Sequence, residues 1–266
     1  MVLEQIIQQK KKEVEFLKEK LKNLSRDTID NLKNRKNRAF YRVLKNKKPF
    51  AVIAECKKAS PSLGVIRENY DPLSIAQNYE QLGADAISVL TDENFFQGSI
   101  EDLDKISKAV SIPVLRKDFI ISKEQILEAK LNGADAILLI VRILKEDEFV
   151  KLWEYANELN LDCLVETHNK KEIELALKYP VKVLGINHRD LDTLKINMDL
   201  SIQYAPMIKK SYPDVAIIAE SGIEEPNKIK ELSQYVDGFL IGTYFMKSSN
   251  IKEAWKHLFN QNIILR

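Results

Sequence analysis

Apolar runs and amphipathic stretches alternate along the chain from Pro49 onward. The apolar runs have the length of buried β-strands and fall at residues 50–56, 85–90, 112–116, 135–141, 161–165, 181–186, 215–219 and 236–241. Stretches with helical spacing of apolar residues follow them at 73–82, 100–109, 123–132, 146–159, 169–178, 199–210, 225–234 and 251–260. Eight strand–helix units predict an α/β protein whose parallel sheet closes into a (β/α)8 TIM barrel, for which about 250 residues are usual.

An open, doubly wound sheet is the alternative arrangement of the same units. Dinucleotide-binding sheets of that kind carry Gly-x-Gly-x-x-Gly after a strand, and no predicted strand is followed by that motif. Two matching Gly-Ala-Asp-Ala segments, at 83–86 and 133–136, instead indicate repeated helix-to-strand turns in which the glycine ends the helix. The pattern favours the closed barrel.

The segment before the first strand follows a different pattern. Apolar residues recur there at helical spacing among charged ones, at Leu3, Ile7, Val14, Leu17, Leu21 and Leu24. A short coiled coil is possible, but Lys10 interrupts the seam and the run is brief, which favours a helix packed on the barrel. The lysines at 10–12 are expected on its solvated face. Residues 25–27 end or cap this helix, and a second helix or turn carries Phe40 and Leu44 toward the first strand.

We therefore expect two parts, a helical extension at residues 1–48 packed on a barrel domain at residues 49–266. The 266 residues carry a net charge of +2, which gives no global argument for a nucleic-acid partner, and no apolar run approaches the roughly 20 residues that span a bilayer. The N-terminus has no signal-peptide core, and the two cysteines form no disulfide or metal motif, which predicts a cytoplasmic protein. The three histidines have no ligand spacing, so no metal is expected.

Charged and polar residues gather where the predicted strands end. The active site of a TIM barrel lies at this end, where each strand meets the following loop. These positions hold Glu55 and Lys57 after the first strand, Lys117 and Asp118 after the third, Glu166 after the fifth, Asn187 and Arg189 after the sixth, and Glu220 after the seventh. Each residue alone fits an ion pair, a helix cap or a turn. Several acids and bases at one end of one barrel predict acid–base catalysis.

Glycines follow the last two strands. Ser221-Gly222 and Gly242-Thr243 place residues without side chains where backbone N–H groups can approach an anion. Loops after the seventh and eighth strands commonly bind phosphate in such barrels. Tight turns are the alternative explanation, but the chain holds only eight glycines. The pattern favours a substrate that carries a phosphate.

Six segments in this order resemble the indole-3-glycerol phosphate synthase family: IAECKKASPSLG, LRKDF, LVETH, GINHRDL, IAESGI and GFLIGTYFM. The resemblance spans residues from about 40 to 250, and that family also has helices before its first barrel strand. It implies decarboxylating ring closure and dehydration of 1-(2-carboxyphenylamino)-1-deoxyribulose 5-phosphate to indole-3-glycerol phosphate in tryptophan biosynthesis, with no cofactor. The implied partner is a small-molecule sugar phosphate, with neither nucleic acid nor membrane, and we expect a monomer or weak homodimer.

The resemblance also implies catalytic roles. Lys117 is the expected general acid, which protonates the carbonyl oxygen, and Glu166 is the expected base for rearomatisation and dehydration. Lys57 is expected to pair with the anthranilate carboxylate and to act in a later proton transfer, with Glu55 holding it in position. The division of acid steps between the two lysines stays open. The further catalytic candidates are Asn187 and Ser221.

Substrate contacts are implied for a second set of residues: Ser60, Phe96, Phe119, Arg189, Glu220, Gly222, Gly242 and Thr243. The two phenylalanines are expected to wall the aromatic ring, and Arg189 to meet the carboxylate bidentately. The serine, glycines and threonine are expected to bind the phosphate or frame its pocket. Glu220 is expected to orient polar groups of the substrate together with Asn187.

Three residues differ from those usual in the family: Cys56, Leu63 and His188. Cys56 and His188 alternate to the face opposite the motif residues, so we expect them to leave the chemistry unchanged. Leu63 stands where a lysine or arginine is common, which leaves the charge of the first loop, and with it substrate affinity, open.

Two other functions compete with this one. Phosphoribosylanthranilate isomerase is a similar phosphate-binding barrel with a cysteine base at the end of its first strand, so Cys56 is the residue to test. If Glu55 and Lys57 face the barrel mouth, Cys56 must face the surrounding helices, which disfavours the isomerase. A noncatalytic barrel that senses a sugar phosphate would have lost an acid or base, and none is missing from the motifs.

Overall fold

Eight parallel strands close into a barrel in the computed structural model, which describes residues 2–35 and 37–259. The barrel strands are Ala51–Cys56, Ala86–Leu90, Val114–Lys117, Ala136–Ile140, Asp162–Thr167, Val183–Asn187, Ala216–Glu220 and Gly238–Ile241. Each strand pairs in parallel with the next along the chain, and the first closes on the eighth with Ala51 opposite Gly238. The predicted (β/α)8 TIM barrel is confirmed.

Helices follow the strands close to the predicted positions. Those with predicted counterparts are Pro72–Gln81, Ile100–Ala109, Lys123–Leu131, Glu146–Glu158, Lys170–Ala176, Asp199–Ser211, Pro226–Leu232 and Ile251–Leu258. The loops contain short elements that the apolar pattern does not predict. They are the helices Glu93–Phe96 and Thr243–Lys247, a 3-10 turn Val141–Ile143, and an antiparallel ribbon of Ala59–Ser60 with Gly64–Val65. Residue 260, the predicted end of the last helix, lies outside the described residues. None of the helices described here combines the length and apolar character needed to cross a bilayer.

Alternation along the strands separates two apolar cores. On the first strand, Ala51 and Ile53 pack in the barrel interior, whereas Val52, Ala54 and Cys56 pack under the surrounding helices. Glu55 shares the parity of the interior residues and therefore emerges at the barrel mouth. The expectation that Cys56 faces the helices is confirmed, since its thiol is fully buried in the outer core.

Three helices precede the barrel: α1 (Val2–Leu21), α2 (Arg26–Asn34) and α3 (Phe40–Asn46). The Ser25 hydroxyl accepts a hydrogen bond from the Thr28 N–H at 3.2 Å, so it caps α2, a helix that the sequence pattern did not reveal. Phe40 and Leu44 of α3 are fully buried and join the interior core. Helix α1 packs on the barrel, as the favoured interpretation of its seam predicts, and its Ile6 also reaches the interior core.

One prediction for α1 is wrong. Lys10 was expected on a solvated face, but its side chain is only 2% exposed and lies on the buried face with Ile6, Val14 and Leu17. Its neighbour Lys11 is exposed as expected. The physical reason is that Lys10 meets carboxylates from three different segments, and paired charge makes the burial of a lysine tolerable.

Aspartates stand at the amino ends of the second, fourth and eighth strands and link each of these strands to a neighbouring strand. Each accepts a backbone N–H at 2.9 Å from an adjacent strand: Asp85 from Val52, Asp135 from Val114 and Asp237 from Ile217. Each carboxylate also pairs with a cation: Asp85 with Lys47 at 2.8 Å, Asp135 with Arg38 at 2.7 Å and Asp237 with Lys209 at 3.5 Å. The aspartates of the two Gly-Ala-Asp turns, Asp85 and Asp135, thus help to fix the register between adjacent strands.

Candidate active site

The carboxyl ends of the strands surround one cavity, which all fourteen residues predicted for the site line. They are Glu55, Lys57, Ser60, Phe96, Lys117, Phe119, Glu166, Asn187, Arg189, Glu220, Ser221, Gly222, Gly242 and Thr243. Helix α1 supplies part of the wall through Val2, Leu3 and Ile6. The cavity lies at the end of the barrel where TIM-barrel enzymes carry their active sites.

Glu55 and Lys57 form the first ion pair of the cavity. The first strand ends between them, so their side chains leave the barrel on the same side, and Lys57 Nζ lies 2.8 Å from Glu55 Oε2. Both side chains are largely buried, which strengthens their attraction. The pair fixes the ammonium of Lys57 at the mouth of the barrel.

Lys117 lies between two carboxylates in the same cavity. Its Nζ lies 3.0 Å from Glu166 Oε2 and 3.4 Å from Glu220 Oε2. Burial alone would lower the pKa of Lys117, but the charges of Glu166, Glu220 and Glu55 outweigh it and raise the pKa well above its usual value. The lysine is therefore a charged, proton-bearing group at the centre of the site.

His168 holds the other side of Glu166. Its Nε2 lies 3.3 Å from Glu166 Oε1 and its Nδ1 lies 3.1 Å from Glu172 Oε2. Burial opposes the imidazolium, but these two carboxylates raise the pKa of His168 to about 9. Burial would raise the pKa of Glu166, yet the charges of Lys117 and His168 lower it well below its usual range. Glu166 is thus an ionised carboxylate between two cations.

Glu220 is in the opposite electrostatic position. Burial and the charges of Glu166 and Glu55 outweigh the attraction of Lys117 and raise the pKa of Glu220 to about 8. Its side chain is 2% exposed, and neither carboxyl oxygen has a hydrogen-bond partner within residues 2–35 and 37–259. Its one close ionic contact among those residues is Lys117 Nζ at 3.4 Å, so a buried carboxyl group without hydrogen bonds is ready to bond a polar group of a ligand.

Two glycines, Gly185 within the sixth strand and Gly242 directly after the eighth, make room for the carboxylates of Glu220 and Glu55. A Cβ atom on Gly242 would collide with the carboxylate of Glu55, and one on Gly185 would collide with that of Glu220. Gly242 therefore shapes the acid–base centre in addition to the phosphate side expected for it. Gly185 was missed by sequence reasoning, although a glycine inside a strand is itself a sign of close approach by another group.

Two phenylalanines form the apolar wall of the cavity. The ring centroids of Phe96 and Phe119 lie 6.1 Å apart with the planes inclined at 40°. Phe96 ends the short helix Glu93–Phe96, which Asp92 caps by accepting the N–H groups of Phe95 and Phe96. The wall is suited to a flat aromatic group.

Asn187 and Arg189 shape the loop after the sixth strand. Asn187 Oδ1 accepts the Arg189 N–H at 3.0 Å, and Arg189 Nη1 donates to the carbonyl of Leu194 at 3.1 Å. This contact uses one N–H of the guanidinium group, which carries five, and Arg189 also lines the cavity.

The loop after the seventh strand is one of the two for which the sequence predicts phosphate binding. Ser221 and Gly222 both have left-handed backbone conformations, with φ of 68° and 78°. His188 supports this loop from outside the cavity, with Nδ1 2.9 Å from the Ser221 carbonyl and Nε2 2.7 Å from the Ser201 hydroxyl. Burial lowers the pKa of His188, so the neutral ring donates through Nδ1 and accepts through Nε2. His188 thus faces away from the cavity, as its parity predicts.

The fold and this cavity define a class, a TIM-barrel enzyme equipped for acid–base chemistry. A proton-bearing lysine, an ionised glutamate, a second lysine–glutamate pair and an aromatic wall share one chamber. Within the described residues, no group of three or more histidine, cysteine, aspartate or glutamate side chains is arranged to hold a metal ion.

Comparison with known proteins places the chain within that class. A sequence profile of the indole-3-glycerol phosphate synthase family matches residues 3–258. The chain is 44% identical over 256 residues to an indole-3-glycerol phosphate synthase of Aliarcobacter butzleri strain RM4018, covering 95% of this chain and 96% of the relative. It is 41% identical over 261 residues to one of Acetivibrio thermocellus, covering 95% and 97%. It is 48% identical over 210 residues to one of Leptospira interrogans, covering 79% and 82%.

The chain belongs to the indole-3-glycerol phosphate synthase family. The family that the six segments predict is therefore confirmed, and with it the class of enzyme, a carboxy-lyase of tryptophan biosynthesis.

Proposed function

We propose that this protein converts 1-(2-carboxyphenylamino)-1-deoxyribulose 5-phosphate to indole-3-glycerol phosphate by general acid–base catalysis. The ring carbon that bears the carboxylate attacks the ribulose carbonyl carbon, and a new carbon–carbon bond forms as the carbonyl oxygen takes a proton. The bond to the carboxylate then breaks and carbon dioxide leaves. Finally the new hydroxyl group departs as water while the carbon next to nitrogen loses a proton, which completes the indole.

Lys117 is the general acid in this scheme. Negative charge develops on the carbonyl oxygen during ring closure, and an alkoxide is basic enough to accept the lysine proton despite the raised pKa of Lys117. The observation that carries the proposal is the placement of Lys117 Nζ 3.0 Å from Glu166 Oε2, because it puts an acid and a base side by side in one cavity.

Glu166 is the base that removes the proton next to nitrogen. It is ionised in the free enzyme because Lys117 and His168 flank it, so it is ready to accept a proton. Lys57, fixed by Glu55, pairs with the anthranilate carboxylate and serves the later proton transfer. Glu220 and Asn187 bond the polar groups of the sugar chain.

The remaining residues bind the two ends of the substrate. Phe96 and Phe119 wall the aromatic ring, and Arg189 meets the carboxylate. The phosphate is bound at the other end of the cavity by Ser60, Ser221, Gly222, Gly242 and Thr243. We further propose that residues 1–48 act as an extension of the 49–266 barrel domain, and that the enzyme works in the cytoplasm as a monomer or weak homodimer without nucleic acid or membrane.

The position of Cys56 argues against isomerase chemistry. Burial raises the pKa of the Cys56 thiol, and the thiol faces the helices rather than the cavity, so it cannot serve as a base there. A purely sensory barrel would have no use for an ion-paired lysine beside an ionised glutamate.

The decisive experiment supplies the purified protein with the carboxyphenylamino-deoxyribulose phosphate. We expect a fluorescent indole and carbon dioxide in equal amounts, at a rate that a chelator leaves unchanged because lysine supplies the proton. The control substrate is phosphoribosylanthranilate, which the isomerase would consume without releasing carbon dioxide. Tight binding of the substrate with no indole formed would exclude the proposed reaction.

A further inference from the structure

Lys10 of helix α1 is the buried centre of a charge cluster that the mechanism does not use. Its Nζ lies 2.8 Å from Asp92 Oδ2, 2.9 Å from Asp118 Oδ1 and 2.8 Å from Glu13 Oε2. Asp92 and Asp118 are buried, and Glu13 is about one-third exposed. A single ammonium group thus forms ion pairs with carboxylates from the loop after the second strand, the end of the third strand and its own helix.

The two buried aspartates each hold a part of the candidate active site. Asp92 Oδ1 accepts the N–H groups of Phe95 and Phe96 at 2.7 and 3.1 Å, which fixes the helix that carries the Phe96 wall. Asp118 directly follows Lys117, and its Oδ1 accepts the Phe119 N–H at 2.8 Å. Lys10 is therefore connected through one aspartate to the segment of the proposed acid and Phe119, and through the other to Phe96.

The two aspartates depend on Lys10 to different degrees. Asp118 Oδ2 also accepts the Thr91 hydroxyl at 2.5 Å and lies 3.2 Å from Arg116 Nη2, so it keeps partners without Lys10. The Oδ2 atom of Asp92 is paired with Lys10 alone within the part of the chain that the structure describes. Loss of the Lys10 charge would leave this buried oxygen uncompensated, and Asp92 would then favour a position nearer to water.

We propose that Lys10 is a positioning residue for catalysis, which sets the aromatic wall and the proposed acid by neutralising Asp92 and Asp118 from helix α1. Lys10 touches no reacting atom, so it acts through the Asp92 cap on Phe96 and through Asp118 on Lys117 and Phe119. This inference rests on the proposed function, because the groups it positions are those assigned to ring closure.

The alternative is that Lys10 only tethers α1 to the barrel. The chain offers a matched control, since Lys130 is also a fully buried lysine and donates to the carbonyls of Arg35 and Asn160, away from the cavity. We expect Lys10→Met to lower kcat/KM about 10- to 100-fold, the scale of a small misplacement of reacting groups, and Lys130→Met to stay within twofold of wild type. The two variants are compared under conditions in which circular dichroism shows that both are folded. If Lys10→Met does not fold, Lys10→Gln takes its place.

A double variant separates positioning from tethering. Asp92→Asn keeps the oxygen that caps Phe95 and Phe96 but removes the orphaned charge, so adding it to Lys10→Met should raise kcat/KM at least threefold above the single variant. If Lys10 were only a tether, this second change would restore nothing. An unchanged or lower kcat/KM in the double variant, or a Lys10→Met activity within twofold of Lys130→Met, would overturn the proposal.

Hydrogen exchange gives a measurement that needs no substrate. The Phe95 and Phe96 amides should exchange at least tenfold faster in Lys10→Met than in Lys130→Met, because their cap has moved. Equal exchange in the two variants would contradict the positioning role. If instead the wild-type protein forms no indole while the exchange rates differ as expected, the proposed reaction fails and the positioning of the Phe96 helix by Lys10 stands.

Discussion

The two ends of the barrel both bury carboxylates at strand ends, but one carboxyl group at the carboxyl end, that of Glu220, lacks the hydrogen bonds that the aspartates at the amino end have. At the amino end, Asp85, Asp135 and Asp237 each accept a backbone N–H and pair with a cation. At the carboxyl end, Glu220 has no hydrogen bond from any described residue and faces the charges of Glu166 and Glu55. The same chemical group stabilises the fold where its bonding capacity is filled, and is available to a ligand where it is not.

The difference follows from what surrounds each carboxylate. At the amino end, backbone N–H groups of adjacent strands point at the aspartates, and these bonds add to the strand pairing itself. At the carboxyl end, the neighbouring groups are other ionisable side chains around an open chamber, so burial and like charge raise the free energy of the empty site. Binding of a substrate relieves part of that cost, which favours recognition of a polyhydroxylated, charged ligand.

The largest expected effect is a loss of turnover at the carboxyl end of the barrel. Lys117→Ala removes the proposed acid, so turnover should fall about 10²–10⁴-fold, the usual contribution of a positioned proton donor. Steady-state kinetics with the carboxyphenylamino-deoxyribulose phosphate measure the change, and circular dichroism checks the fold. Turnover within threefold of wild type would remove Lys117 from the mechanism and weaken the contrast between the two ends.

A smaller effect is expected at the amino end of the barrel, where the aspartates stabilise the fold. Asp135→Asn turns an amide donor toward Arg38 or the Val114 N–H, so the free energy of unfolding should fall by about 1.5–3 kcal/mol, the scale of a lost charged hydrogen bond. Urea denaturation measures it, and turnover at 25 °C should stay within twofold of wild type. A variant of full stability with lost turnover would reverse the roles of the two ends.

The smallest effect is a pH slope that belongs to Glu220. Between its ordinary pKa of 4.5 and about 8, the native protein holds a proton on Glu220 that the unfolded chain has released. The free energy of unfolding of wild type, relative to Glu220→Gln, should therefore fall as pH rises through this window, by at most about 1.4 kcal/mol per pH unit, and level off above pH 8. Urea denaturation from pH 5 to pH 9 measures both proteins, and parallel curves would show that Glu220 is ionised in the native state.

The pattern of apolar runs could predict the barrel because its strands are buried on both faces. Their runs are continuous and short, which distinguishes them from the amphipathic helices between them. The residues of the site could be predicted together because the carboxyl ends of all barrel strands meet at one face, as they do for Glu55, Lys117 and Glu166. Helix α2 was missed because it is only nine residues long and its apolar face consists of Ile29 and Leu32 alone. The helix Glu93–Phe96 is a single turn, which is too short to show an apolar period.

The interactions that tune the site depend on contacts between distant segments. Lys10 looked like a break in an apolar seam, because the chain pattern around it gives no sign that Asp92 and Asp118 converge on its ammonium group. The spacing of the three histidines gives no sign of a metal site and no reason to single out His168. Its position two residues after Glu166 nevertheless places both on one face of the chain, and that signal could have indicated the pair.

The chamber is enclosed by segments that lie far apart along the chain. Helix α1 supplies one wall, and the first barrel strand finds its closing partner only in the eighth, where Ala51 pairs with Gly238 and Gly242 accommodates Glu55. A nascent chain that stops before residue 238 has all of its proposed acids and bases but no closed ring of strands to hold them. A chain that ends just short of residue 238 is therefore expected to have no activity, although it carries every proposed acid and base.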